Sequence, residues 1–130
     1  MDAARTEEAA GVEQAPAVAS LVIYIAGPYS APTSEGIAKN VRLAAEAGIE
    51  VMRRGHVALC PHTMTHNWDM GTGLRYEQFL AADLELLRRC DAVLMVGTWG
   101  ASKGAVGEYR AALALGLPVY VGLEEVPSLD

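Results

Sequence analysis

The sequence predicts an α/β fold: a doubly wound, Rossmann- or flavodoxin-like parallel sheet of about four to five strands with helices on both faces. The first observation behind this prediction is that short apolar runs alternate with longer segments whose apolar residues recur every three or four positions, as in βα units. The second is that glycine or proline follows each apolar run. The third is composition, because 52% hydrophobic and 20% charged residues in 130 positions suit a single domain with a real core.

Strands and helices are predicted to alternate along the chain, with one long loop. In order, they are a strand over 21–26, a helix from Ser34 to about Gly55, a strand over 57–60, a loop from 62 to about 73, a helix over about 74–89, a strand over 92–96, a loop over 97–103, a helix over about 104–115 and a strand over 117–121. The Ser34 hydroxyl is expected to cap the first helix, and Gly55 and Gly116 to close two of them.

The same pattern locates a ligand site before any chemistry is assigned. Right-handed crossovers favour an arrangement in which the first and third strands lie side by side, with their helices on opposite faces. Ligands of such sheets bind at this switch point, beyond the carboxyl ends of the strands. The loops expected to meet there are 27–30 and 98–104.

The composition also excludes several partners. Ten Lys and Arg against 16 Asp and Glu give a formal charge of −6, and the basic residues form no cluster. A nucleic acid polymer or an anionic membrane surface needs a dense basic face, so neither is expected. The longest early apolar run, 21–26, is far too short to span a bilayer.

Residues 1–20 are predicted to form a flexible, acidic, Ala-rich tail, and residues 21–130 a single α/β domain. The two cysteines, Cys60 and Cys90, are interpreted as buried thiols in a reducing compartment, which favours a cytoplasmic protein.

Asp83 lies on an apolar stripe of its predicted helix. Its neighbours three and four positions away are Phe79, Leu80, Leu86 and Leu87. A carboxylate in such a place costs several kcal/mol, on the order expected for a buried charge, unless it is paired or hydrogen-bonded. Two interpretations stay open: a functional acid, or a helix carboxylate tied to a local partner such as Tyr24 or a loop amide.

Glu108 shows the same anomaly in the last helix. Ala105 and Ala112 flank it on its own face, which suggests space left for another molecule. The alternative is an ordinary glutamate in an exposed first turn, favoured by the helix dipole. Two such acids on consecutive helices bordering the switch point suit a general acid and a nucleophile at a glycosidic centre.

Two loops hold weaker candidates. The hydroxyl of Ser102 can cap the last helix, whose first amides near Gly104 could bind an anion or a sugar oxygen. The loop after the second strand has His62 and His66 four residues apart and Asp69 soon after, so a metal site is one interpretation of this loop. Residues that cover a substrate are the favoured interpretation, with Trp68 available to stack on a flat ring.

Three segments resemble one family. They are Tyr24-Ile25-Ala26-Gly27-Pro28-Tyr29, Asp83-Leu84-x-x-Leu87-x-x-x-Asp91 and Ser102-x-Gly104-x-x-x-Glu108. Together they resemble the nucleoside 2-deoxyribosyltransferase superfamily, and particularly its branch of N-glycosidases that release a base from a 2'-deoxynucleoside 5'-monophosphate. The resemblance extends from Tyr24 to Val121.

The resemblance implies roles for individual residues. Glu108 would be the nucleophile at the anomeric carbon, Asp83 would assist the leaving base and then activate the acceptor, and Tyr24 would lie close to the nucleophile. Ser102 stands where the monophosphate hydrolases also have a serine. The implied substrate-binding residues are Tyr24, Gly27, Pro28, Tyr29, Ser102, Gly104, His62 and Trp68.

The implied function is cleavage of the N-glycosidic bond of a small nucleoside or nucleotide, with water or a second base as acceptor. No cofactor and no metal are expected, and a homodimer is expected from the family. Two alternatives remain: a noncatalytic nucleotide-binding module of the same fold, and a metal-dependent hydrolase built on the His62 and His66 loop.

Overall fold

A computed structural model describes residues 19–129 of the chain. The predicted tail therefore lies outside the described residues, apart from Ala19 and Ser20, which are exposed. Along the described part the elements are β1 (Val22–Ala26), α1 (Ser34–Arg53), β2 (Val57–Leu59), α2 (Pro61–Met64), α3 (Tyr76–Arg88), β3 (Ala92–Met95), α4 (Lys103–Leu115) and β4 (Val119–Val121), with short 3-10 turns at Trp99–Ala101 and Leu123–Glu125.

The strands form one parallel sheet with the order β2-β1-β3-β4. Tyr24 of β1 pairs with Leu59 of β2 on one side and Val93 of β3 on the other. The strand order reverses between β1 and β3, so the predicted doubly wound fold and its switch point are confirmed. At the opposite end of these two strands, the Asp91 carboxylate accepts a hydrogen bond of 2.8 Å from the Val22 N–H, which fixes their register.

Helices cover both faces of the sheet. The α1 helix packs Ala44, Ala47 and Val51 against Ile23, Ile25 and Leu94 on one face. The α3 and α4 helices cover the other face, where Leu87, Ala105 and Ala112 meet Tyr24, Val93 and Met95. Because side chains alternate along a strand, Tyr24 points to the α3 and α4 side. This alternation brings its phenol beneath the first turns of α4.

The helix boundaries differ from the prediction in two places. Thr33, not Ser34, caps α1, since its hydroxyl accepts the Gly36 N–H at 3.0 Å while Ser34 is the first helical residue. The α3 helix begins at Tyr76, two residues later than predicted, with Arg75 as its N-cap. Ser102 caps α4 as predicted, accepting the Ala105 N–H at 3.2 Å.

A short helix begins the segment between β2 and α3. The loop predicted from residue 62 onward begins with the single-turn helix α2, because Pro61 fits the first position of a helix.

No helix among residues 19–129 is long and apolar enough to cross a membrane.

Candidate active site

A cavity of about 790 Å³ opens beyond the carboxyl ends of β1 and β3. Its walls are the loop after β1, the loop before α4, the first turns of α3 and α4, and part of the segment around α2. This is the place expected for a ligand of a doubly wound sheet. Both predicted acids, Asp83 and Glu108, line it.

Glu108 lies at the floor of this cavity. Its side chain is only 7% exposed, although it is in the second turn of α4. The small neighbours Ala105 and Ala112 are completely buried beside it, which explains how α4 can bring a carboxylate so close to the sheet. The interpretation of Glu108 as an exposed first-turn residue is therefore wrong.

The Tyr24 hydroxyl donates a short hydrogen bond to Oε2 of Glu108. Tyr24 itself is fully buried in the middle of β1. Burial, together with the nearby Glu108 and Asp83 carboxylates, raises the pKa of Tyr24, so the phenol keeps its proton and acts only as a donor. One carboxylate oxygen of Glu108 is thus held by Tyr24, and the other, Oε1, has no hydrogen-bond partner among residues 19–129.

The two acids have displaced pKa values. The pKa of Glu108 is raised to about 7, mainly by burial and in part by the Asp83 charge, whereas the Tyr24 hydrogen bond acts in the opposite direction. Burial raises the pKa of Asp83 to about 6. Asp83 is half-buried on α3, with Phe79 and Leu80 beside it in the cavity wall. Near neutral pH each acid can therefore give up or accept a proton, which is a property suited to acid–base work.

The interpretation of Asp83 as a helix carboxylate tied to a local partner such as Tyr24 or a loop amide is not supported, because Asp83 makes no such hydrogen bond within residues 19–129. The Asp83 charge raises the pKa values of Tyr24 and Glu108. The Tyr24 hydroxyl, however, donates its hydrogen bond to Glu108. Because Asp83 lines the cavity and burial raises its pKa, a substrate in the cavity would lie against an acid able to donate a proton.

The start of α4 forms another wall of the cavity. Ser102, Lys103 and Gly104, which lie at the N-terminal end of this helix, all line the cavity. The Ser102 hydroxyl is engaged as the helix cap. A Cβ at Gly104 would meet nothing closer than 3.8 Å, so packing alone does not require a glycine there.

The loop after β1 contributes Gly27, Pro28 and Tyr29 to the cavity. A Cβ at Gly27 would stand 2.7 Å from a Val96 side-chain carbon and 3.0 Å from the Val96 carbonyl oxygen. Gly27 therefore allows β1 and β3 to approach closely just where they end. A larger residue would push the switch point apart.

His62 is buried and lines the cavity, but its Nε2 atom is turned to the backbone. It lies 3.1 Å from the Gly27 carbonyl oxygen and 2.9 Å from that of Pro28. Burial lowers the pKa of His62, which keeps the ring neutral, so Nε2–H is the donor to both oxygens.

The metal-binding alternative gains no support from the geometry. His66 places Nδ1 at 3.1 Å from the Tyr29 hydroxyl, whereas His62 binds carbonyl oxygens. Among residues 19–129, no three His, Cys, Asp or Glu side chains come together as a metal-binding group. The four-residue spacing of the two histidines does not align them because α2 ends at Met64, before His66.

Trp68 does not line the cavity. It follows Asn67, whose positive φ of 69° turns the chain, and its side chain is 55% exposed. Asp69, the next residue, does line the cavity. Stacking of Trp68 on a substrate ring stays a prediction that the described conformation does not provide.

Sequence reasoning missed Asn40. It lies two turns into α1 and reaches back to the loop after β1, donating to the Tyr29 carbonyl oxygen at 3.0 Å. One signal was present, since asparagine is a poor helix former inside an otherwise Ala-rich helix. Here the amide of Asn40 has partners in the loop, which offsets its poor helix propensity.

Together, the fold and site define a class: a doubly wound α/β domain with two acids of raised pKa in a cavity at its switch point. Within that class the chain belongs to the family described as a domain of unknown function, DUF4406, whose model matches residues 21–121. None of the curated proteins matches the sequence significantly.

A solved structure gives a further comparison. The 2-deoxyribosyltransferase from the psychrotolerant bacterium Bacillus psychrosaccharolyticus, described as a biocatalyst for the synthesis of nucleosides, is 24% identical to this chain. The match covers 75% of this chain and 69% of that one, with a TM-score of 0.55. At this identity the likeness establishes a shared fold.

Proposed function

We propose that this protein cleaves the N-glycosidic bond of a nucleoside or nucleotide, with a 2'-deoxy sugar as the expected class, through a covalent glycosyl intermediate on Glu108. The observation that supports this most strongly is a buried carboxylate that lines a cavity, is held on one oxygen by a tyrosine, and shares that cavity with a second acid. The shared fold with a 2-deoxyribosyltransferase is consistent with it.

In the first step, Oε1 of Glu108 attacks the anomeric carbon. The new bond joins this carbon to the carboxylate oxygen, and the bond to the base nitrogen breaks. Its electron pair leaves with the base, and protonated Asp83 donates a proton to that base. The Tyr24 hydroxyl holds Oε2, so the attacking oxygen is directed into the cavity.

In the second step, Asp83, now ionised, removes a proton from water or from an incoming base. The acceptor attacks the anomeric carbon, and the Glu108 carboxylate leaves. Tyr24 stabilises that carboxylate again as its charge returns. Asp83 thus acts as acid and then as base, for which a pKa of about 6 is suitable.

The choice between a nucleoside and its 5'-monophosphate depends on the start of α4. Ser102 is neutral and Lys103 is cationic, and both line the cavity, which favours an anionic group there. The monophosphate is the substrate that we propose first. Assembly as a homodimer and a cytoplasmic location stay predictions from the sequence.

The test is chromatographic detection of free base. The purified protein is incubated with nucleosides and nucleoside 5'-monophosphates, ribo and 2'-deoxy, with and without a second base. We expect release from 2'-deoxy monophosphates, and new nucleotides with an added base if the protein is a transferase. Glu108→Gln should abolish release while the protein stays folded.

Glu77→Gln is the matched control, because Glu77 is 77% exposed in its side chain and lies on α3 away from the cavity lining. It should leave the rate unchanged. Binding of a nucleotide without any base release by the wild-type protein would contradict the proposed function and favour the noncatalytic binding module. Full turnover by folded Glu108→Gln would remove Glu108 from the mechanism.

A further inference from the structure

Two side chains engage four successive carbonyl groups of the loop after β1. His62 from α2 donates to the carbonyl oxygens of Gly27 and Pro28, at 3.1 and 2.9 Å. Asn40 from α1 donates to those of Tyr29 and Ser30, at 3.0 and 3.4 Å. The loop is therefore tied to two helices by donors alone.

Ring contacts complete this attachment. The Tyr29 ring stands edge-on to the His62 ring, with centroids 5.4 Å apart and an interplanar angle of 84°. Its hydroxyl lies 3.1 Å from Nδ1 of His66. Tyr29 is thus fixed at its backbone by Asn40 and at its ring by both histidines.

The backbone N–H groups of the same loop differ from its carbonyl groups in their hydrogen bonding. Those of Tyr29 and Ser30 make no hydrogen bond to any residue among 19–129. Both residues line the cavity. Because their carbonyl groups are engaged, N–H donors are the backbone groups that remain for a bound molecule.

We propose that His62 and Asn40 are positioning residues that act through this loop: by engaging its carbonyl groups, they present the Tyr29 and Ser30 N–H groups to an oxygen atom of the substrate's sugar or sugar phosphate. In this proposal His62 acts on the substrate through the loop, because its Nε2 atom is already engaged by the Gly27 and Pro28 carbonyl oxygens. The loop supplies donors, whereas Asp69, Asp83 and Glu108 supply acceptors to the same cavity. The inference rests on the proposed function only for the identity of the bound sugar.

The variants are chosen to separate the hydrogen bond from the side-chain volume. His62→Gln keeps an N–H donor near the position of Nε2, and His62→Leu fills the space without a donor. Asn40→Asp is isosteric with asparagine but, when ionised, cannot donate to carbonyl oxygens. Each variant is first compared with the wild type by thermal melting, and rates are measured well below the unfolding transition, where the two-state equilibrium keeps the variant folded.

We expect His62→Leu and Asn40→Asp each to raise KM for the preferred substrate about 10-fold or more, with a smaller change in kcat, the loss expected for hydrogen bonds to substrate that are no longer aligned. His62→Gln should restore most of the wild-type KM. Dissociation constants measured in the Glu108→Gln background should shift by the same factor.

Substrate analogues distinguish positioning from a general structural role. The rise in KM caused by His62→Leu and Asn40→Asp should shrink for whichever analogue, 5'-deoxy or 3'-deoxy, lacks the oxygen that the loop binds. Equal losses on every analogue, or an unchanged KM in folded His62→Leu, would overturn the proposal. Base release by the wild type shows that the proposed function stands whichever result is obtained.

Discussion

Removal of the Tyr24 hydroxyl should change the ionisation of Glu108. In Tyr24→Phe the ring still fills its buried site in β1, but Oε2 of Glu108 loses its donor. A hydrogen bond to a charged group contributes about 1.5–3 kcal/mol, and one pKa unit corresponds to about 1.4 kcal/mol. The pKa of Glu108, about 7 in the wild type, should therefore rise by about one to two units.

The assay uses an aryl 2-deoxyriboside with a nitrophenolate leaving group, which departs without a proton. Asp83 then has no acid role in the first step, so the acidic limb of kcat/KM against pH reports the ionisation of Glu108. The nucleophile must be ionised, so activity falls below its pKa. In the wild type this limb should lie near pH 7.

Tyr24→Phe should move the acidic limb upward by about one to two pH units, with a rate at pH 6 lower by about 10- to 100-fold. Much of the activity should return above the new limb. Tyr109→Phe is the control, since Tyr109 packs its ring 4.8 Å from that of Trp99 and does not line the cavity. An unmoved limb in Tyr24→Phe, or an equal loss at every pH, would refute the reasoning.

Three further predictions concern single positions. Asp83→Asn should slow release of natural bases by about 100-fold or more while leaving nitrophenolate release nearly unchanged; equal slowing of both would show that Asp83 is not the acid. Gly27→Ala should lower the melting temperature by several degrees, since the new Cβ would stand 2.7 Å from a side-chain carbon of Val96. Gly107→Ala on α4 should raise the melting temperature, because a Cβ there meets nothing within 4 Å and alanine favours the helix. A lower melting temperature for Gly107→Ala than for Gly27→Ala would contradict the packing argument. Thr33→Ala should cost about 1 kcal/mol of unfolding free energy as a lost helix cap, and Ser34→Ala little; chemical denaturation that finds Ser34 the costlier loss would restore it as the cap.

Much of the fold could be predicted from the sequence because its pattern is local. Apolar runs bounded by glycine or proline gave the four strands, and the handedness of crossovers gave the neighbours β1 and β3. The cap of α1 could not be separated from its neighbour, since Thr33 and Ser34 both have a suitable hydroxyl. Only the backbone geometry shows which of them lies outside the helix.

The acids of the candidate site were visible because a carboxylate on an apolar helix face is anomalous wherever the helix packs. Asp83 and Glu108 were found in this way, and both line the cavity. Asn40 was not found, because its partners are loop carbonyl groups ten and eleven residues earlier, and no local pattern records such contacts. The exposed position of Trp68 could not be predicted either, since it depends on the turn at Asn67.

The central claim is that Glu108 becomes covalently attached to the sugar during turnover. The most direct measurement is mass spectrometry of the protein quenched in acid while it turns over a substrate that releases base. The account predicts a protein heavier by one glycosyl residue, with the added mass on the peptide that contains Glu108 and none in Glu108→Gln. Steady base release with no adduct on that peptide, together with turnover by folded Glu108→Gln, would contradict it.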